Sequence, residues 1–146
     1  MPFAEPVPGL VIRYSYLWRS EYELGQEEGA KDRPCAVPMV AGSDQGETVV
    51  TVLPVTHTPP SDPAQAVEIP LVSKRRLGLD TDRSWLMLSE ANRVVWPGPD
   101  LRMKEPGGDA GSVAYGLLPA ALFRRIRDAF AARVEARSPL VIRRTQ

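Results

Sequence analysis

Gly9–Leu17 reads GLVIRYSYL, with Val11, Arg13 and Ser15 on one side and Ile12, Tyr14 and Tyr16 on the other. A period of two, rich in β-branched and aromatic residues, predicts a strand. Pro34–Ala41 (PCAVPMVA) predicts a second, with Pro38 at an edge or a bulge. Thr48–Val55 (TVVTVLPV) is apolar on both faces, as a core strand requires. Val67–Val72 (VEIPLV) predicts an edge strand around Pro70, followed by a basic turn at Lys74–Arg76. Ser84–Leu88 and Arg93–Trp96 predict two more, with a bend at Ala91 and Asn92 between them.

The period changes near residue 117. Leu118, Leu122, Ile126, Phe130 and Val134 recur every four residues, while Arg124, Asp128, Arg133 and Arg137 point elsewhere. This predicts one amphipathic helix, opened by Pro119 and ended by Ser138-Pro139. Trp18–Arg33, which holds an acidic run, and Pro97–Gly116, rich in glycine and proline, predict long connections. The tail PLVIRRTQ predicts either an edge strand or a mobile end. Strands first and one helix last imply an α+β, mainly β fold: a small, curved, antiparallel sheet or barrel with a helix packed on it. One domain is expected over 1–146, with its core at 9–137 and flexible ends at 1–8 and 138–146.

Composition sharpens this. Fifteen prolines in 146 residues leave little room for helix before residue 117. No run approaches the roughly 20 apolar residues of a membrane span. The segment MPFAEPVPG lacks the layout of a signal peptide, so a cytoplasmic protein without a membrane partner is expected. A single cysteine, Cys35, and a single histidine, His57, exclude an internal disulfide, a thiolate zinc site and a histidine-rich metal site. No cofactor is implied. The 18 basic and 18 acidic residues cancel overall but not locally. Residues 1–30 hold two arginines against five glutamates, and residues 117–146 hold seven arginines against Asp128 and Glu135. Local potential, not net charge, governs attraction of an anionic ligand.

Several short pieces occur in a telling order. Gly9-Leu10-Val11-Ile12 opens the first strand, and Arg33-Pro34 starts the second. Leu53-Pro54-Val55-Thr56 ends the third, Val67-Glu68-Ile69 follows, and a later strand leads into Glu90-Ala91-Asn92-Arg93 before the closing helix. Over about residues 9–135 this series resembles the PemK/MazF type of toxin from bacterial toxin–antitoxin pairs. The resemblance implies an SH3-like barrel with a C-terminal helix, a homodimer, and a growth-inhibiting endoribonuclease that cuts single-stranded RNA without a metal. It also implies a cognate antitoxin partner, with operator DNA bound through that antitoxin. Carried over by position, Arg33 and Thr56 would be the functional pair and Glu90 an acidic catalytic residue. Asn92 and Arg93 would contact RNA. Lys74, Arg75 and Arg76 offer further phosphate contacts. Where some family members have a histidine in the first long loop, this chain has Glu27. That loop is also longer and more acidic.

The residue types suit the chemistry. RNA cleavage through the substrate's own 2′-hydroxyl needs a base, a phosphate stabiliser and a proton for the leaving oxygen. A guanidinium such as that of Arg33 forks onto phosphate, a threonine hydroxyl donates to it, and a buried Glu90, or else Glu28, would serve as base. Plainer roles compete with each of these. Arg33 would be a surface ion-pair partner, Thr56 a turn former, Glu90 and Asn92 the shapers of a bend, and Lys74–Arg76 a solvated turn. His57 would face away from Thr56 if the strand continued through it. Cys35, Trp18, Trp85 and Trp96 read as packing or dimer-contact residues. A non-catalytic SH3-like module that binds nucleic acid or a peptide is the alternative function. An enzyme of unrelated chemistry has the least support, since no phosphate-binding glycine loop or nucleophile motif occurs.

Overall fold

Alternation along the first strand, β1 (Leu10–Tyr14), sets the architecture. Successive side chains on a strand point to opposite faces, so a strand apolar at neighbouring positions must be covered on both. Val11 joins a cluster with Ala36, Leu53, Val55, Leu86 and Ala91, and Ile12 joins another with Cys35, Val37, Val50, Val52 and Val94. The computed structural model describes residues 5–26, 29, 32–42, 45–98, 101–102, 113–136 and 140–144.

Among the described residues eight strands form one sheet: β1, β2 (Arg33–Gly42), β3 (Thr48–Thr56), β4 (Ala66–Glu68), β5 (Trp85–Met87), β6 (Glu90–Trp96), β7 (Ala114–Leu117) and β8 (Leu140–Arg143). The order is β4-β5-β3-β2-β1-β7, with β6 on β3 and β8 on β6. The α+β, mainly β class holds. The described strands do not close into a barrel, and β8 runs parallel to β6. One edge of β3 serves two partners: Thr48–Val52 pair with β6, while Val55 and Thr56 pair with β5. Pro54, which has no N–H for a ladder, lies where the partner changes. The β2–β3 register shifts between Ala36 and Met39, so Pro38 marks a bulge.

Among the described residues three α-helices accompany the sheet: α1 (Arg19–Glu23), α2 (Leu71–Arg76) and α3 (Ala120–Glu135), with a 3-10 turn at Pro63–Gln65. The expected closing helix is α3. Leu118, Leu122, Ile126 and Phe130 are buried against the Val11 cluster, whereas Val134 is 44% exposed near the helix end. Each apolar side chain fully buried there contributes about 1.5–3 kcal/mol.

Four expectations change. The acidic connection contains α1, where Trp18 N–H donates to Glu21 Oε1 at 3.1 Å and Arg19 pairs with Glu23 at 2.6 Å. The strand expected through Pro70 stops at Glu68, because a proline preset to φ −58° caps α2 instead. Part of the Pro97–Gly116 segment is ordered against β1: Tyr14 bridges Leu101, and Val11 pairs with Gly116. Of the two courses expected for the tail, the edge strand holds and the flexible end does not, since Leu140–Arg143 pair with Glu90–Arg93. Arg144 secures it, its buried Nη1 donating to Ser15 O at 2.8 Å, Asn92 Oδ1 at 3.0 Å and Tyr14 OH at 3.2 Å. Glu27, Glu28, Arg137, Ser138, Pro139 and most of the Pro97–Gly116 segment lie outside the described residues.

Candidate functional site

The adjoining ends of β2 and β3 open onto a cleft of about 910 Å³. Cys35 pairs with Pro54 across the two strands. The same antiparallel register, carried on two residues, brings Arg33 alongside Thr56. Arg33 Nη1 donates to the Val55 carbonyl at 3.3 Å, and the guanidinium carbon lies 5.0 Å from the centre of the Trp18 ring. Its Nε is shielded from solvent and has no hydrogen-bond partner among the described residues. A buried donor left without an acceptor costs roughly 1–3 kcal/mol, and an anionic oxygen in the cleft would relieve that cost. Thr56 Oγ1 accepts from Thr58 N–H at 3.1 Å, which leaves its own hydroxyl proton free to donate.

His57 lines the same cleft. The expectation that it faces away from Thr56 assumed that the strand continues, but β3 ends at Thr56 and strand alternation ends with it. His57 Nε2 lies 2.8 Å from Asp80 Oδ2. Behind Asp80 stands Lys74, which is only 2% exposed. Its three N–H donors meet Asp80 Oδ1, the Asp82 carbonyl and Ser84 Oγ. Burial pushes the Asp80 carboxyl upward, but the hydrogen bonds and charges of Lys74 and His57 outweigh it and hold the group below its ordinary value. The result is a fixed order: ammonium, carboxylate, imidazole, cleft.

His57, Asp80 and Asp82 also bring one ligand atom each within 4.8 Å of one another, the one set among the described residues with that spacing. Both Asp80 oxygens are already engaged, one by an ammonium. A cation there would have to displace Lys74 or face its charge.

No family model, curated protein or solved structure matches this chain.

Glu90 does not line the cleft. Its Oε1 accepts from Arg19 N–H at 3.0 Å and from the Tyr16 hydroxyl at 3.2 Å. Burial raises its carboxyl above the ordinary value, opposed in part by those two hydrogen bonds. A carboxyl raised in the folded state binds more protons there than in the unfolded chain. Stability then falls as pH rises through the window above about 4.5. Glu90→Gln keeps an oxygen acceptor and removes that titration. The variant should gain stability relative to the parent as pH goes from 4 to 7, measured by urea unfolding at each pH, and a constant difference would refute the cause given.

Asn92 is not placed to contact RNA. It is fully buried, its Oδ1 accepting from Leu17 N–H and its Nδ2 donating to Leu17 O, both at 2.9 Å. Lys74 is no solvated turn residue and has no donor left for a phosphate, whereas Arg75 and Arg76 are exposed on α2. Arg93 lines a different groove. Cys35, Trp85 and Trp96 are buried packing residues, and burial pushes the Cys35 thiol well up, so it is no nucleophile. Sequence reasoning missed Asp80, and it named Lys74 as a phosphate contact where the structure makes it the partner of Asp80. The one legible cue to Asp80 was the lone histidine directly after Thr56.

Proposed function

We propose that this chain is a PemK/MazF-like toxin, an endoribonuclease that cleaves single-stranded RNA through the substrate's 2′-hydroxyl. The observation that carries this reading is the meeting of Arg33, Thr56 and His57 in one cleft. Arg33 would bind the scissile phosphate and stabilise the charge that gathers on its oxygens. Thr56 would donate a second hydrogen bond to that phosphate. His57 replaces Glu90 as the base, because Glu90 lies outside the cleft. With Nε2–H held by Asp80, the Nδ1 lone pair is free to take the 2′ proton. The O2′–P bond then forms and the P–O5′ bond breaks. The leaving O5′ takes a proton back from the imidazolium or from water, giving a 2′,3′-cyclic phosphate and a 5′-hydroxyl. An antitoxin would restrain this activity in the cell, and the active species would be a homodimer.

The test is to incubate the purified chain with mixed-sequence single-stranded RNA, with and without EDTA. The expected products carry 2′,3′-cyclic phosphate ends in both conditions, a 2′-deoxy substitution at the cut site blocks cleavage, and Arg33→Ala removes the growth arrest caused by expression. RNA bound but left whole would replace this reading with that of a non-catalytic binding module. RNA neither bound nor cut would overturn both.

A further inference from the structure

The sheet face that α3 covers runs on past the helix. Leu53, Val55 and Ala91 belong to the cluster that includes α3. The same alternation puts Val49, Thr51, Arg93 and Val95 further along that face. There Arg93 pairs in register with Thr51 on one side and with Arg143 of β8 on the other. Together with Val49, Val95 and the end of β2 at Ala41 and Gly42, the two arginines line a groove of about 500 Å³.

Three features of the groove point to an anion. No described lining residue is acidic. Arg144, the third arginine, is held inward by Tyr14, Ser15 and Asn92 and serves the fold. Arg93 and Arg143 have no side-chain hydrogen bond or ion pair among the described residues, yet they are direct cross-strand neighbours. Like charges placed opposite each other on a sheet are destabilising. A bridging anion would turn that repulsion into two charge-assisted contacts. Paired guanidinia suit the forked geometry of phosphate oxygens, and the volume falls within the roughly 300–1,000 Å³ of small-ligand sites.

We propose that Arg93 and Arg143 form a second contact for the backbone phosphates of single-stranded RNA, separate from the cleft. This rests on the reading of the chain as an RNA-acting protein but not on its cutting RNA. A backbone contact of this kind adds affinity without sequence preference and makes binding depend on salt, because each phosphate neutralised releases counterions.

The probe is an uncleavable 2′-O-methyl oligonucleotide of about a dozen nucleotides, titrated with the full chain by fluorescence anisotropy over a range of salt. Single-strand contacts each contribute roughly 0.7 to the slope of log affinity against log salt. Arg93→Gln with Arg143→Gln should therefore flatten the slope by about 1.4, and the matching Lys pair should restore it. Should the double Gln variant fail to fold, the exposed Arg143→Gln alone should flatten it by about 0.7. An unchanged slope overturns the groove, whatever happens to cleavage. A flattened slope in a protein that never cuts RNA leaves the groove standing and removes the nuclease reading. Absence of oligonucleotide binding by the parent chain overturns the groove as well.

Discussion

His57→Ala is expected to slow RNA cleavage by about 10²–10⁴-fold, the usual contribution of a positioned acid–base group. The imidazole is aimed by a carboxylate that Lys74 keeps ionised. The loss should appear in kcat rather than KM, since Arg33 and Thr56 remain to hold the phosphate. Stability should change by no more than about 0.5 kcal/mol, because the His57 side chain is 57% exposed. Asp80→Asn should lower kcat less, through a misdirected imidazole, and single-turnover assays of both variants beside the parent would test the pair. An unchanged kcat for His57→Ala would dismiss histidine as the base.

Asn92→Leu is expected to destabilise the fold by about 3–5 kcal/mol, the range seen when a buried polar network is broken. The side chain is fully buried and acts as a false strand for the segment after β1, giving Leu17 both a donor and an acceptor. Leucine has similar volume and can do neither. The change leaves the buried Leu17 N–H and C=O unsatisfied and removes one acceptor from the buried Arg144 guanidinium. At about 2–4 °C per kcal/mol for a chain of this size, Tm should fall by roughly 6–20 °C. Differential scanning calorimetry measures the shift directly. A fall under about 2 °C would mean that water replaces the amide at little cost. Because Arg144 anchors β8, the same variant should also raise amide exchange along Leu140–Arg143.

These two residues differ in how well the sequence reveals them. Arg33 and Thr56 stand out in the sequence only through the resemblance, and it is the β2–β3 register that puts them side by side. His57 was dismissed on an assumption about strand length, and a strand's last residue is the least certain part of any pattern. Asn92 looked like a bend former, since a polar residue between two apolar runs usually is one. Its partners lie 75 and 52 residues away, and spacing says nothing about contacts at that distance.

Local physics alone settled the elements whose periodicity was strong: β1, β2, β3 and the α3 face from Leu118 to Phe130. It also settled the bulge at Pro38 and the helix start at Pro119, since a missing N–H or a preset φ acts within one or two residues. Tertiary structure decided the rest. The peptide Ala114–Leu117 has little strand propensity of its own and pairs because β1 offers it an edge. Leu71–Arg76 is helical around a lysine that finds a carboxylate, a carbonyl and a hydroxyl waiting within the fold. The tail chose the sheet over solvent because Arg144 could reach Ser15 and Asn92. Propensity and periodicity are local quantities. A cleft joining His57, Asp80 and Arg33, and a groove joining Arg93 to Arg143, exist only once distant segments have met.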